Sequence, residues 1–170
     1  IGGLAGKAES RWTSTQGVEI RNVSTSVDIE GAQASYVGGL IGTLGKWNSV
    51  ENSEASGNIV VEEGGYIGGL VGMIERSSVQ GQTMMLDRVK ALGNVTVNTG
   101  DSYVGGLVGY IGEQVTIQKS LAGGDVIVQN GGTYVGGFLG DAIGESDIYD
   151  SVALGNVKGD SRVGGFMGGS

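Results

Sequence analysis

The chain of 170 residues contains no cysteine, no histidine and no proline. The lack of cysteine and histidine excludes a disulfide framework, a Ser-His-Asp triad, a Cys-His pair and a His-Glu-x-x-His zinc site. Basic residues are scarce as well, since 10 Lys and Arg stand against 18 Asp and Glu for a net charge of −8. Proteins bind nucleic acid and anionic membranes through clustered basic side chains, so we predict neither kind of partner.

Long apolar runs are also missing. No run approaches the roughly 18–20 residues that cross a membrane as a helix, and no basic start followed by an apolar stretch resembles a signal peptide. Glycine, in contrast, is abundant at 36 residues. The length is that of one domain, and we predict that residues 1–170 form a single repeat domain.

Much of the glycine lies in one phrase that recurs six times. The copies are IGGLAG at residues 1–6, VGGLIG at 37–42, IGGLVG at 67–72, VGGLVG at 104–109, VGGFLG at 135–140 and VGGFMG at 163–168. Self-similarity at a spacing of roughly 30 residues indicates a stack of like structural units. Neither end carries the atypical capping repeat that closes a natural solenoid. We therefore expect an excerpt or processed piece of a larger protein, or a unit that stacks end to end.

Two further motifs recur between the glycine phrases. One is an apolar residue followed five residues later by a small one, and the other is Gly-Asn/Asp-apolar followed by alternating β-branched residues. Such alternation is typical of strands, and the glycine-rich polar clusters that follow are typical of turns. We predict an all-β fold: a single right-handed parallel β-solenoid of five to six turns, with about three short strands in each turn of roughly 30 residues.

Stacked turns bring equivalent residues into rows. We expect an alanine row at Ala55, Ala91, Ala122 and Ala153, and valine and isoleucine rows at Ile59, Val95, Val126, Val157 and at Val61, Val97, Val128. A further row, formed by Asn58, Asn94, Asp125 and Asn156, is expected at a corner, where Asn tolerates left-handed backbone and bonds to its own loop.

The glycine pair inside each phrase has two interpretations. A bend at the pair would turn Val37 and Leu40 both inward, although they are three residues apart and would face opposite ways on a flat strand. Alternatively, the bare backbone would let a second layer approach closely. The bend is the favoured interpretation.

The phrase Gly-Leu-Val-Gly, preceded by Tyr-Val-Gly and repeated with Gly-Asn-Val between copies, resembles the GLUG motif family, and YVGGLVG at residues 103–109 is the nearest copy. The resemblance extends over the whole chain. It implies a repeat architecture in large bacterial surface and secreted proteins, including adhesin-like proteins and the non-catalytic region of IgA-type metallopeptidases. It implies no shared chemistry. Phe138, Phe166 and Arg162 depart from the pattern towards the C-terminus.

Four tyrosines that precede glycine phrases form the candidate binding site: Tyr36, Tyr66, Tyr103 and Tyr134. As an exposed row they would stack on sugar rings or pack on a partner, and as a structural row they would stack on one another. The structural interpretation is favoured. Trp12 and Trp47 are expected to pack over a solenoid end, with exposure on one edge as the alternative.

Acidic pairs give weaker candidates: Glu51/Glu54, Glu62/Glu63, Asp147/Asp150 and Asp141/Glu145. None has the spacing of a calcium loop, so we interpret them as solvated turn residues, ahead of a weak divalent-cation site or a catalytic pair. We assign no catalytic, cofactor-binding or metal-binding residue. The glycosylation patterns that begin at Asn22 and Asn94 are short enough to arise by chance.

We therefore predict a non-enzymatic structural segment of a bacterial cell-surface or secreted protein, acting outside the cell as an adhesin stalk or as a self-stacking fibre subunit. Its partners would be proteins, either further copies end to end or a host surface protein or glycan. The alternatives are a binding module that uses one solenoid face and an accessory region of a secreted peptidase, with a polysaccharide-cleaving enzyme last. The insertions at residues 6–17 and 75–87 break the period without recognisable chemistry.

Overall fold

A computed structural model describes residues 1–9, 17–76, 84–100, 102–112, 114–143 and 146–169. Trp12, Glu145 and most of both insertions lie outside these residues. Every regular element among the described residues is a β-strand, so this part of the chain offers no apolar helix of membrane-spanning length.

The strands are short and numerous, and most are two to six residues long. In chain order they are β1 (Ala5–Ala8), β2 (Glu19–Arg21), β3 (Ser24–Thr25), β4 (Ile29–Gly38), β5 (Ile41–Leu44), β6 (Ser49–Glu51), β7 (Glu54–Ala55), β8 (Ile59–Gly68), β9 (Val71–Ile74), β10 (Met84–Asp87), β11 (Lys90–Ala91), β12 (Val95–Gly100), β13 (Tyr103–Gly105), β14 (Val108–Ile111), β15 (Val115–Gln118), β16 (Leu121–Ala122), β17 (Val126–Gly131), β18 (Tyr134–Gly136), β19 (Leu139–Ala142), β20 (Asp147–Tyr149), β21 (Val152–Ala153), β22 (Val157–Lys158) and β23 (Val163–Gly164).

These strands form four parallel sheets that run along one axis. Sheet I has the order β1-β5-β9-β14-β19, sheet II β2-β6-β10-β15-β20, and sheet III β3-β7-β11-β16-β21. Sheet IV contains β22-β17-β12-β8-β13-β18-β23, with β4 paired to β8. The chain visits sheets II, III, IV and I in turn, which makes a parallel β-solenoid of about four turns. The predicted β-solenoid is thereby confirmed, whereas its right-handed sense and its count of five to six turns stay predictions.

The number of strands in each turn differs from the prediction of about three. Each complete turn contributes one strand to each of sheets I, II and III and either one long strand or two shorter ones to sheet IV. The extra strand arises because the glycine phrase joins two strands, one ending at its first glycine and one beginning three residues later.

The register of the sheets confirms the predicted rows. Ala55 pairs with Ala91, Ala91 with Ala122, and Ala122 with Ala153 in sheet III. In sheet IV, Val95 pairs with Ile59 and with Val126, and Val97 pairs with Val61 and with Val128. A shift by one residue would expose every buried side chain of a strand, so burial fixes this register.

The core is divided into two apolar clusters. One cluster is enclosed by sheets I, II and III and contains Leu40, Ile41 and Val50. The other lies inside sheet IV, which folds back on itself so that Ile59 and Val61 pack against Ile67. Val37 belongs to the second cluster and Leu40 to the first, so both point inward but into different halves of the core.

A narrow waist of glycine and alanine separates these clusters. A Cβ placed on Gly69 would lie 2.9 Å from the Cβ of Ala91 and 2.1 Å from the carbonyl oxygen of Gly106 in the next turn. A side chain at this position would therefore collide both across the waist and along the axis. Both interpretations of the glycine pair are thus correct, since the chain bends there and a second layer also approaches the bare backbone.

The Asn/Asp row links successive turns through backbone amides. The Asn58 side chain accepts a hydrogen bond from the Asn94 N–H at 3.0 Å, and Asn94 accepts one from the Asp125 N–H at 2.9 Å. Asp28 and Asp125 act in the same way on Asn58 and Asn156. The expectation that this row bonds to its own loop in left-handed backbone is therefore wrong.

Left-handed backbone occurs at another corner, between sheets II and III. Its residues there are Asn22, Asn52, Arg88, Lys119 and Asp150, with φ between 45° and 57°. Non-glycine residues reach this conformation only at a cost, and hydrogen bonds beside it offset that cost. The Ser53 hydroxyl, for example, accepts from the Val23 N–H at 3.1 Å and donates to the Glu51 carbonyl at 2.8 Å.

Candidate functional site: the tyrosine row

The four predicted tyrosines occupy one row on the outer side of sheet IV. Each lies two residues before the first glycine of its phrase, where the strand is about to turn into sheet I. The backbone register pairs Tyr66 with Tyr36 and with Tyr103, and Tyr103 with Tyr134. The structure thus brings all four predicted site residues together.

The rings stack face to face along the axis. Ring centroids are 5.5 Å apart for Tyr36 and Tyr66, 5.0 Å for Tyr66 and Tyr103, and 4.9 Å for Tyr103 and Tyr134. The interplanar angles are 7°, 14° and 10°. Since the strand spacing of a sheet is about 4.8 Å, the stacking distance follows directly from the parallel register. Because the faces of the tyrosine rings contact one another, the ring edges and hydroxyl groups are what an outside ligand could contact.

A fifth tyrosine, which sequence reasoning missed, completes the row. Tyr110 lies in β14 of sheet I, and its ring centroid is 5.1 Å from that of Tyr66 and 5.3 Å from that of Tyr103, at angles of 57° and 71°. The edge-to-face contact is a favourable arrangement of aromatic quadrupoles. The only signal in the sequence was an aromatic residue directly after the glycine phrase of one copy.

Arg162 takes the place of tyrosine in the last copy and extends the row. Its guanidinium carbon lies 4.6 Å from the centroid of the Tyr134 ring, within the range of a cation–π contact. The planar guanidinium stacks where a fifth in-register ring would have been. The departure from the repeat at this position therefore conserves the stacking and changes its charge.

A buried carboxyl group lies near this end of the row. Asp141 pairs in register with Tyr110 and is only 8% exposed, and burial raises the pKa of its carboxyl group while the charge of Arg162 lowers it. Burial also raises the pKa of Tyr103 and Tyr110, and the Asp141 charge adds to that effect. These phenols therefore stay protonated at neutral pH.

A shallow cavity of about 520 Å³ borders the row at its N-terminal half. Its lining includes Tyr36, Tyr66, Ser35, Gln33 and Glu63. The Gln33 amide donates to the Glu63 carboxylate at 2.9 Å, and Tyr36 is 40% exposed. This shallow surface therefore presents an aromatic edge beside amide, hydroxyl and carboxylate groups.

Two of the four predicted acidic pairs, Glu51/Glu54 and Glu62/Glu63, have partners within the chain. Glu51 lies 3.5 Å from the Arg21 guanidinium, and Glu54 lies 3.9 Å from the Lys90 ammonium. Glu62 accepts from the Asn98 amide at 2.8 Å. Within the described residues no group of three or more acidic side chains converges as metal ligands would.

One predicted glycosylation pattern falls inside the Asn/Asp row. The Asn94 side-chain oxygen accepts a hydrogen bond from the Asp125 N–H, so this residue takes part in a contact between turns. Asn22 accepts from the Asn52 amide at 2.6 Å in exposed surroundings. Trp47, expected at a solenoid end, precedes β6 in left-handed backbone with φ of 68°.

One comparison with known proteins finds the repeat motif in part of the chain. Residues 33–60 match the family model described as the GLUG motif, a region that contains the glycine phrase at residues 37–42 and reaches the start of β8. No curated protein and no solved structure matches the chain. GLUG motifs are found in repeat domains of bacterial surface or secreted proteins. The match supports the predicted resemblance to the GLUG-motif repeat family over residues 33–60.

Proposed function

We propose that the chain is a non-enzymatic structural segment of a bacterial cell-surface or secreted protein, built into a stalk outside the cell. The observation that carries this proposal is the use made of the repeated residues. The tyrosines stack on each other, the Asn/Asp side chains bond to the next turn, and the glycines and alanines fill the waist. The recurring residues therefore make contacts between neighbouring turns, which is what a stiff rod requires.

The fibre form of this function is supported by the apolar side chains at both ends of the stack. Ile1, Leu4 and Val27 are exposed on one end, and Val152, Leu154 and Val163 on the other. The unpaired edges of outer strands are templates for further strands. Head-to-tail contacts between copies would be heterologous and would extend into a filament. A further turn of the same protein would cover the same surfaces in the stalk form.

Electron microscopy and analytical ultracentrifugation over a range of protein concentrations test both forms. The stalk form predicts a monomer whose long axis grows by about 4.8 Å for each added repeat. The fibre form predicts concentration-dependent filaments with an axial repeat of about 25 Å. A chain whose unfolding midpoint and shape do not change when further repeats are added would contradict the structural role.

The second candidate is a binding module for a host glycan or surface protein, and the cavity beside Tyr36 and Tyr66 favours it. Tyr36 is the most accessible ring of the row, so Tyr36→Ser should weaken binding to immobilised host glycans while leaving the fold intact. The matched variant Tyr149→Ser removes an exposed tyrosine outside the row and should leave binding unchanged. Equal binding by both variants and the parent chain would reject this candidate. A role beside a secreted peptidase stays a prediction.

A further inference from the structure

The six tyrosines of the chain lie in two different environments. Five of them, Tyr36, Tyr66, Tyr103, Tyr110 and Tyr134, form one continuous group of ring contacts that crosses four turns. The sixth, Tyr149, lies in sheet II, is 52% exposed, and has no ring contact within the described residues. The chain has no cysteine, so phenols are among the few side chains that could join two turns covalently.

The register of the row places like atoms of neighbouring rings next to each other. Tyr66 and Tyr103 are direct backbone partners, their ring planes differ by 14°, and their centroids are 5.0 Å apart. The ring carbon beside the hydroxyl of one tyrosine therefore lies near the same carbon of the next. Two reactive groups held in this way react as if at very high local concentration.

We propose that neighbouring tyrosines of the row are a site of oxidative cross-linking, at which hydrogen peroxide and a one-electron oxidant of the haem-peroxidase type join two rings as dityrosine. This inference does not depend on whether the segment is a stalk or a fibre.

The reaction balances as follows. Each of two phenols loses one electron and one proton to give a phenoxyl radical. The radicals couple through one new carbon–carbon bond between the ring carbons beside the oxygens. The two hydrogens on those carbons then move to the oxygens as protons, which restores both hydroxyls. Hydrogen peroxide takes up the two electrons and two protons and leaves as two water molecules.

The consequence would be a covalent staple between adjacent turns. A bond between Tyr36 and Tyr66, or between Tyr66 and Tyr103, closes a loop of about one repeat in the unfolded chain and joins residues that are already backbone partners in the folded one. Cross-links that close loops of this length reduce the entropy of the unfolded state and so favour the folded one. A cysteine-free solenoid would gain by this route the kind of stabilisation that disulfides give to other proteins.

The experiment oxidises the dilute, folded chain with a haem peroxidase and hydrogen peroxide. A parallel sample receives photo-excited ruthenium tris(bipyridine) and persulfate, which is small enough to reach half-buried rings. Trypsin cleaves after Lys46, Arg76 and Lys90, so Tyr36, Tyr66 and Tyr103 fall in three separate peptides. We expect the monomer to yield the Tyr36 peptide joined to the Tyr66 peptide, and the Tyr66 peptide joined to the one that contains both Tyr103 and Tyr110. Each should be lighter by two hydrogen atoms than the sum, and fragmentation spectra should place the second bond on Tyr103. The oxidised monomer should also melt at a higher temperature.

Two variants make the result specific. Tyr66→Phe keeps the ring in the stack but removes the phenol, and should abolish both joined peptides while the circular dichroism spectrum stays unchanged. Tyr149→Phe should leave these peptides at the parent yield and lose only cross-links between molecules. The proposal is overturned if both reagents give no dityrosine in the monomer. It is equally overturned if the linked pairs are the same in the chain unfolded with urea, because the row would then play no part.

Discussion

Replacing Gly106 with alanine should strongly destabilise the solenoid, although the change adds one methyl group. The added Cβ would lie 2.1 Å from the carbonyl oxygen of Gly137 in the next turn and 3.1 Å from the Cβ of Ala122 across the waist. Contacts of a Cβ under 3.0 Å essentially do not occur, so the two turns must separate by about 0.9 Å, the difference between 3.0 and 2.1 Å.

That separation acts on hydrogen bonds as well as on packing. The Leu107 N–H donates to the Phe138 carbonyl at 2.8 Å, and the Gly106 N–H donates to the Gly136 carbonyl at 3.2 Å. Overpacking typically costs about 1–3 kcal/mol, and each weakened backbone bond adds about 1 kcal/mol. We therefore expect the free energy of unfolding to fall by about 3–5 kcal/mol, a large part of the stability of a small domain.

Gly165 provides a matched control, because it occupies the same place in the last copy of the phrase. A Cβ on Gly165 meets no atom within 4 Å. Gly165→Ala should therefore leave stability within about 0.5 kcal/mol, or raise it slightly by restricting the unfolded chain. Urea denaturation followed by far-ultraviolet circular dichroism measures both variants. Equal losses for the two would refute the reasoning, since the glycine requirement would then come from the local turn and not from the approach of the next turn.

Three further substitutions test the rows. Tyr66→Ala removes contacts with three rings and should lower the free energy of unfolding, measured by urea denaturation, by about 2–4 kcal/mol. The control Tyr149→Ala removes an exposed tyrosine and should lower it by less than about 0.5 kcal/mol. Similar losses for the two variants would contradict a structural role for the row. Asn94→Ala leaves the Asp125 amide without its acceptor and should cost about 1 kcal/mol, while Asn94→Asp, which keeps an oxygen there, should recover most of that loss. Asp141→Asn should raise the free energy of unfolding at pH 7. Burial raises the pKa of the Asp141 carboxyl group, so the folded state binds this proton more tightly than the unfolded state does. Ionisation at neutral pH therefore destabilises the fold, and asparagine removes that penalty. The advantage should shrink as pH falls towards the ordinary value of 3.8, and an advantage that grew on acidification would reverse the assigned sign.

The features that the sequence predicts correctly are those formed by equivalent residues of successive turns. Parallel stacking aligns equivalent residues, so the alanine row, the valine and isoleucine rows and the stacked tyrosines all followed from spacing. Tyr110 could not be found in this way, because it belongs to another sheet and has no aromatic counterpart among its partners Met73 and Asp141. Its contact with the row depends on how sheet I folds against sheet IV.

The left-handed backbone between sheets II and III could not be predicted from the sequence for a related reason. Its residues include Arg88, Lys119 and Asp150, and neither arginine nor lysine is associated with positive φ. Neighbouring hydroxyls and backbone partners hold the conformation there, and such support comes from adjacent turns. The Asn/Asp row carried the expected residue type, but its oxygens bond along the axis to the next turn.

By itself, the sequence determined that this protein is a stack of similar solenoid coils and which residues of successive coils are aligned. A repeat of about 30 residues with alternating β-branched side chains can bury its apolar faces only against its own copies. Only the tertiary structure decided that the strands of each turn are distributed over four sheets and that the core is divided into two clusters. That division depends on atoms far apart in sequence meeting across the waist, where the Cβ of Ala91 leaves no room for a side chain at Gly69. The spacing along the chain shows which residues recur, whereas the contact distances across the core show which side-chain sizes fit at each position.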